Sequence, residues 1–223
     1  MSTAPEHDAA STTRLDFERV APEVVEQARA LGTATLHEAG GKIGALPSAI
    51  KPVHPSMRIC GIAFTVHSPP GDNLWLHRAL DVAKPGDVLV VFANNAYEHG
   101  YWGEIMTTMA QVRGLAGLVM DGGVRDGALL GEIGFPVFSR GLCIVGTGKD
   151  YGATGWLGAP VPIGAVTVHA GDLVVGDADG VVVVPRARAA EVVAKGVQRE
   201  RDEAAILARL RAGESTMAVY GFH

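Results

Sequence analysis

The stretch LAGLVMDGGVRDGALLGEIGFPVFSRG, residues 115–141, decides the reading of the fold. LAGLVMDG reads as a buried strand, DGALLGEIG as a short helix, and PVFSRG as the start of the next strand. A strand, a helix and a second strand in so short a span favour parallel pairing within an α/β core. The same alternation extends upstream. MRICGIAFTVHSP (57–69) reads as a strand, LWLHRALDVA (74–83) as a helix, KPGD (84–87) as a turn and DVLVVFAN (87–94) as a strand. YWGEIMTTMAQVRG (101–114) reads as a helix, with Met106, Met109, Ala110 and Val112 on or near one face. Downstream, LCIVGTG (142–148) continues the pattern.

The last third has a different texture. VPIGAVTVHAGDLVVGDADGVVVVPRARA (161–189) contains three β-rich pieces separated by GD and DADG, which predicts an antiparallel or mixed layer joined by tight turns. Pro185 closes the valine run, and Glu191 to Arg211 carries a helical signal. At the other end, DFERVAPEVVEQARAL (16–31) predicts a helix with Pro22 near its start. GTATLHEAGG (32–41) predicts a second short helix capped by Thr33 or Thr35. Residues 1–14 read as disordered, and 15–223 as one α/β domain whose C-terminal helix and tail can dock on its own core or on another subunit.

Composition narrows the function classes. With 223 residues and 48 % apolar content, the chain can bury a sizeable core. No apolar run approaches the 18 or so residues that span a bilayer. The polar start lacks the features of a secretion signal, so a cytoplasmic location is expected. The net charge of −5 and the lack of a basic stripe speak against nucleic acid as a partner. The arginines of 186–213 are interrupted by acidic residues and fit a solvated helix face. Cys60 and Cys143 are lone residues in apolar settings and read as ordinary buried cysteines. Eight scattered histidines without paired spacing do not suggest catalytic zinc.

The chemistry-bearing residues cluster where the 115–141 strand is expected to stop. Asp121 falls at its C-terminal end, which in α/β proteins borders the ligand crevice. Gly122 and Gly123 permit a tight turn there. Arg125 offers a planar donor fork suited to a carboxylate or enolate, and Asp126 a hard oxygen ligand suited to magnesium. The residue types alone leave structural roles open. Asp126 could cap the following helix, and Arg125 could pair with Asp121. GGVRDG is neither a phosphate loop nor a GxGxxG fingerprint. A second cluster, Asn94, Asn95, Glu98, His99 and Glu104, precedes the 101–114 helix, whose start could present backbone N–H groups to an anion.

The combination WGEIMTTMAQVRGLAGLVMDGGVRDGALLGEIGFPVFSRG resembles the RraA-like superfamily, and within it the class II pyruvate aldolases acting on 4-hydroxy-4-methyl-2-oxoglutarate and 4-carboxy-4-hydroxy-2-oxoadipate. The resemblance runs from about residue 32 to the C-terminus. Its most specific part is a glycine some twenty residues before an Arg-Asp pair, followed by GFPVFSRG. It implies an α/β/β sandwich like the swivelling phosphohistidine domain, assembled as trimers or hexamers. It implies that the loop around Gly100, Tyr101, Trp102, Gly103, Glu104 and Ile105 holds a pyruvate carboxylate, that Arg125 stabilises the enolate, and that Asp126 binds Mg²⁺, with Mn²⁺ or another divalent cation able to substitute. Glu104 matches a position that is often aspartate, and its extra methylene alters the reach. A further acidic residue comes from a neighbouring subunit; Glu203 is the closest match and Glu200 its rival. Asp121 is left to shape the turn or support Arg125.

The reaction implied is retro-aldol cleavage of a 4-hydroxy-2-oxo di- or tricarboxylic acid to pyruvate and a carbonyl product, with oxaloacetate decarboxylation as a side activity. The alternatives are a ribonuclease-binding regulator without catalysis, as RraA itself is, or a dedicated oxaloacetate decarboxylase. No Schiff-base lysine is required, and Lys149 is not evidently placed to be one. Asn73, Trp75, His77 and Arg78 are candidates for shaping specificity.

Overall fold

The structure, a computed structural model, describes residues 12–222. Most of the segment expected to be disordered, residues 1–11, lies outside that range. Thr13 forms a parallel bridge with Leu157, and the Arg14 amide donates to the Leu157 carbonyl at 2.9 Å.

Seven helices and ten strands follow one another as α1 (Pro22–Ala28), α2 (Thr33–Ala39), β1 (Lys51–Pro52), β2 (Ile59–His67), α3 (Leu74–Val82), β3 (Asp87–Phe92), α4 (Glu104–Val112), β4 (Gly117–Val124), α5 (Gly127–Ile133), β5 (Val137–Leu142), β6 (Trp156–Leu157), β7 (Val161–Ile163), β8 (Val166–Val168), β9 (Leu173–Asp177), β10 (Gly180–Val184), α6 (Ala189–Arg211) and α7 (Thr216–Tyr220) among the described residues. The main sheet has the order β1-β5-β4-β3-β2-β9-β10, with β6 paired to β2. Strands β2, β3, β4 and β5 are mutually parallel, and β9 and β10 join antiparallel. This is the α/β core expected from the alternation. The C-terminal third supplies the antiparallel layer, in four strands rather than three pieces. Its β7–β8 hairpin forms a separate small sheet packed on β2 and β3.

The two-residue period of β9 and β10 sorts their side chains between two core clusters. Val181 and Val183 of β10 join the cluster that contains Leu76, Leu89, Met106 and Phe138, whereas Val182 and Val184 join the cluster with Ala28, Leu36, Val192 and Val193. Helices α3 and α4 pack into the first cluster, and α1, α2 and the first half of α6 into the second. The buried strands read as continuous apolar runs because both faces are covered.

Several local expectations need correction. Gly32, not a threonine, occupies the cap position of α2. Thr33 is its first residue, held by Asp177 through the backbone amide at 2.9 Å and the hydroxyl at 2.7 Å. On α4, Met106, Thr107 and Ala110 are buried, but Met109 and Val112 are exposed, because a helical turn of about 3.6 residues carries them off the face set by Met106 and Ala110. LCIVGTG forms no strand beyond Leu142, and Cys143 is only half-buried. Cys60 is buried as expected, and burial raises its thiol pKa to about 11. The tail forms α7 against α6, with Met217, Tyr220 and Phe222 exposed.

Candidate active site

The four parallel strands end on the same side of the sheet, and the segments that leave them converge on one cavity. Asn73 and His77 follow β2, Tyr101 to Met106 follow β3, Arg125 and Asp126 follow β4, and Lys149 follows β5; these residues line a cavity of about 270 Å³. This is the crevice that open α/β sheets place beyond the carboxyl ends of their strands.

Strand β4 does not stop at Asp121. It runs through Gly122 and Gly123 to Val124, with a register irregularity between Met120 and Gly123. The two glycines are therefore strand residues and not a turn. Their value is space. A Cβ on Gly123 would lie 2.8 Å from both the Cys143 Cβ and the His99 carbonyl oxygen. The close approach lets Gly123 bond the neighbouring loop twice, its amide to the Tyr97 carbonyl at 3.0 Å and its carbonyl from the Tyr101 amide at 3.0 Å. The loop is held further where the Arg125 amide donates to the Trp102 carbonyl at 2.8 Å.

The turn begins at Asp126, whose backbone is left-handed with φ 61° and ψ 34°. An aspartate tolerates that conformation better than most residues. Asp126 stands at the cap position of α5, yet its carboxylate caps a different helix: Oδ2 accepts the Glu104 amide, the first of α4, at 3.0 Å. Gly103 makes this possible, since a Cβ there would sit 2.2 Å from Asp126 Oδ2. The amides of Ile105 and Met106, next in the first turn, have no intrahelical acceptor and belong to cavity-lining residues. The Arg125 guanidinium lies alongside, with Nε 3.9 Å from Asp126 Oδ2.

Asp121 takes no part in this cluster. It is buried and receives Arg140 Nε at 2.6 Å, while the Arg140 guanidinium lies 4.0 Å from the Tyr97 ring centroid. The expected support of Arg125 by Asp121 is thus replaced by a pair between adjacent strands. Burial raises the Asp121 carboxyl pKa above its ordinary value, and Arg140 offsets only part of that.

The segment that leads into Gly103 is fixed by tight packing. Tyr101 and Trp102 are almost fully buried. The Tyr101 hydroxyl accepts the Gly71 amide and donates to the Ala96 carbonyl, each at 2.9 Å. Trp102 Nε1 donates to Thr107 Oγ1 at 2.6 Å. Asn73 Nδ2 donates to the Tyr101 carbonyl at 3.0 Å, which fixes the orientation of the amide. Asn73 Oδ1 is buried with no partner. Burial and then Lys149 lower the pKa of His77.

Of the residues singled out from sequence, Trp102, Gly103, Glu104, Ile105, Arg125 and Asp126 share the cavity. Glu200 and Glu203 do not: they lie on α6, where Glu203 pairs with Arg199 at 2.8 Å. Trp75 and Arg78 stack on each other outside the lining. Lys149, which the sequence brought forward only to set aside as a Schiff base, does line the cavity. Its loop is pinned to the residues after β2 by the Asn73 amide on the Gly148 carbonyl at 3.2 Å and the Gly148 amide on the Gly71 carbonyl at 2.8 Å. Such main-chain pairing leaves no mark in the sequence.

Among the described residues no group of three or more His, Cys, Asp or Glu side chains is gathered as a metal cluster. Magnesium commonly uses only one or two protein carboxylates and keeps several waters. Asp126 has a second carboxylate oxygen beyond the one bonded to the Glu104 amide, and Glu104 adds another hard-oxygen side chain to the same cavity. This donor set fits such a cation.

A profile described as RraA-like, Aldolase/RraA, matches residues 21–183. The chain belongs to the RraA-like family. A protein of Halalkalibacterium halodurans named "Putative 4-hydroxy-4-methyl-2-oxoglutarate aldolase" is 34 % identical over 82 % of this chain and 86 % of its own length. Among solved structures, an uncharacterized protein from Pseudomonas syringae pv. tomato superposes with a TM-score of 0.79 at 31 % identity, covering 92 % of this chain and all of its own. Streptomyces coelicolor RraAS2, described as an unusual member of the RNase ES inhibitor RraA protein family, superposes with a TM-score of 0.73 at 30 % identity, covering 84 % of this chain and 97 % of its own. The α/β architecture of this RraA-like chain is therefore that of its structural relatives. Among the described residues no helix is long and apolar enough to cross a membrane.

Proposed function

We propose that this RraA-like protein is a divalent-metal-dependent pyruvate aldolase. It would cleave a 4-hydroxy-2-oxo di- or tricarboxylic acid to pyruvate and a carbonyl product, with oxaloacetate decarboxylation as a side activity. The observation that carries the reading is the meeting of Arg125, Asp126 and the first turn of α4 in one cavity, with Asp126 bonded to the Glu104 amide. The name of the Halalkalibacterium relative points the same way.

In this mechanism the substrate's C1 carboxylate rests on the first-turn amides of Ile105 and Met106 beside Gly103 and Trp102. The positive end of the helix favours an anion there. The C2 keto oxygen faces the Arg125 guanidinium. Asp126, with Glu104 beside it, would hold Mg²⁺ or Mn²⁺. When bound, the cation supplies Lewis-acid polarisation of the keto oxygen. Glu104 directs the proton leaving the C4 hydroxyl. The C3–C4 bond breaks as the C4 carbonyl forms, and its electron pair passes into the enolate of pyruvate. Arg125 stabilises the developing negative oxygen, and protonation at C3 yields pyruvate. Glu203, or Glu200 in its place, would enter from a neighbouring protomer of a trimer or hexamer. Residues 15–223 would act as one domain, in the cytoplasm and without nucleic acid.

A panel of 4-hydroxy-2-oxo acids and oxaloacetate, assayed for pyruvate release with and without Mg²⁺, tests the proposal. Metal-dependent release from at least one hydroxy-oxo acid is expected. Release from oxaloacetate alone would make the protein a dedicated decarboxylase. The description of RraAS2 favours one further reading, a ribonuclease-binding regulator. Ribonuclease binding with no turnover of any panel member would establish that reading and overturn the aldolase.

A further inference from the structure

Residues 93–103 join β3 to α4 and lead into the helical turn that borders the cavity. The segment starts under strain. Asn94 and Asn95 are consecutive left-handed residues, with φ of 53° and 62°. Asparagine adopts that conformation more readily than most residues, but still at a cost. A strained segment keeps one shape only where its surroundings impose it. Main-chain bonds supply part of the restraint: the Ala96 amide donates to the Ala93 carbonyl at 3.0 Å, and the Gly100 amide to the Val145 carbonyl at 2.8 Å. Between them stands Tyr97, half-buried, whose ring is held from outside the segment. The Arg140 guanidinium lies 4.0 Å from the ring centroid and is itself fixed by buried Asp121, which receives its Nε at 2.6 Å. The Tyr97 carbonyl accepts the Gly123 amide at 3.0 Å. These contacts close a ring, from Asp121 to Arg140, to Tyr97, to Gly123 and back along β4. The Tyr97 hydroxyl donates to Asn95 Oδ1 at 2.9 Å and so ties the strained pair to the same clamp.

The clamp bears on the site through β4. Beyond Tyr97 the Tyr101 amide donates to the Gly123 carbonyl, and the Arg125 amide donates to the Trp102 carbonyl. Where Tyr97 sits on β4 therefore sets where Gly103, Ile105 and Met106 stand relative to Arg125 and Asp126. Resting on the aldolase reading, we propose that Arg140 is a positioning residue: its guanidinium clamps the Tyr97 ring, and the clamp holds the first-turn amides of α4 in register with Arg125 and Asp126 to receive the substrate carboxylate. Arg140 is absent from the cavity lining and touches no reacting atom, so its effect falls on binding rather than on the chemical step. The role is specific to arginine. A lysine keeps a cation beside Asp121, which bonds Nε, the guanidinium nitrogen nearest the backbone, but it lacks the flat group that covers the ring.

The test separates the clamp from the ion pair. In Arg140→Lys, KM for the best substrate of the pyruvate-release panel should rise about threefold to tenfold, the range of a partly desolvated cation–π contact, with kcat within about twofold of the wild type. Tyr97→Leu should do the same, and the double variant should be no worse than either single one. Tyr97→Phe keeps the ring and should keep most of the affinity. Hydrogen exchange gives a readout that needs no turnover: amides of residues 97–103 should exchange faster in Arg140→Lys than in the wild type, while those of β2 and β3 do not change. Additive losses in the double variant, or a fall in kcat at unchanged KM, overturn the positioning role and leave the aldolase reading intact. If the wild type turns over no member of the panel, the aldolase reading fails separately, and the clamp is judged by exchange. Faster exchange confined to 97–103 supports it, and equal exchange in the two proteins overturns it in either case.

Discussion

Two arginine–aspartate pairs lie within a few residues of each other along β4 and its exit, and they are built in opposite ways. Asp121 is 1 % exposed at its side chain and meets Arg140 at 2.6 Å; Asp126 is 36 % exposed and lies 3.9 Å from Arg125. The first pair joins adjacent strands, buries its carboxylate and has an aromatic ring against its guanidinium. The second is open and borders a cavity, and its carboxylate is engaged by a backbone amide rather than by the arginine. Same residue types, different burial: one pair is committed to the fold, and the other keeps its charges available. A loosely apposed pair at a cavity is what a site needs if those charges are to act on a ligand.

The largest effects should come from the open pair. Arg125→Ala and Asp126→Ala are each expected to lower kcat for pyruvate release by about a thousandfold, the scale of losing a group that stabilises transition-state charge. Thermal unfolding followed by circular dichroism should change little in Arg125→Ala, whereas Asp126→Ala also loses the cap on the Glu104 amide and should cost about 1 kcal/mol, too little to unfold the chain. Turnover near that of the wild type in either variant would remove the functional half of the contrast.

The closed pair should respond in the opposite sense. Arg140→Met leaves Asp121 buried without its partner, and a loss of about 3 kcal/mol of stability is expected at neutral pH. The loss should depend on pH in a defined direction. Burial already raises the folded-state pKa of Asp121, and removing Arg140 raises it further. Below the unfolded-state value of about 4, Asp121 is protonated in both states and the unpaired charge costs nothing. As pH rises through the folded value, the unfolded state ionises first and stability falls. Urea unfolding at acid and neutral pH should therefore show a gap between variant and wild type that widens as pH rises. A gap that narrows would mean that the pair does not hold the buried carboxylate in its charged form.

The contrast between the pairs was only half legible in the sequence. Strands β2 to β4 announce themselves as apolar runs because both faces of the sheet are covered, but the Gly122–Gly123 turn expected after Asp121 is strand, and the turn falls at Asp126 instead. The partner of Asp121 does not follow from proximity along the chain. Arg125 is four positions away and Arg140 nineteen, but β4 and β5 pair with Met120 opposite Ser139, which brings the next residues together. Register decides the partner, and register is a property of the assembled sheet. Lys149 was missed for a related reason: its loop is placed by main-chain bonds to Gly71 and Asn73, which are blind to side-chain identity. Gly103 stood out only as part of a motif. Its backbone is extended, so its φ requires no glycine, and only the neighbouring Asp126 carboxylate explains why a Cβ cannot fit.

A third carboxylate sharpens the point at the smallest scale. Asp177 is partly buried, and burial alone would raise its pKa as it does that of Asp121. The net shift is downward, because the Thr33 amide and hydroxyl, the Asp179 amide and the charge of Arg58 together outweigh burial. Asp121 has one such donor group, and Asp177 has three donors plus a nearby cation. A depressed carboxylate adds stability above its unfolded pKa and loses it as pH falls through its folded value, the reverse of Asp121. Asp177→Asn keeps the shape but turns an amide NH₂ toward one of those donors, so a cost of about 1 kcal/mol is expected at neutral pH. In urea unfolding that gap should close as pH falls below about 4, because the wild-type carboxylate then loses its charge as well. A gap unchanged down to the folded pKa would show that geometry, and not ionisation, carries the contribution of Asp177, and the difference in donor count would no longer explain why two aspartates of one sheet titrate in opposite directions.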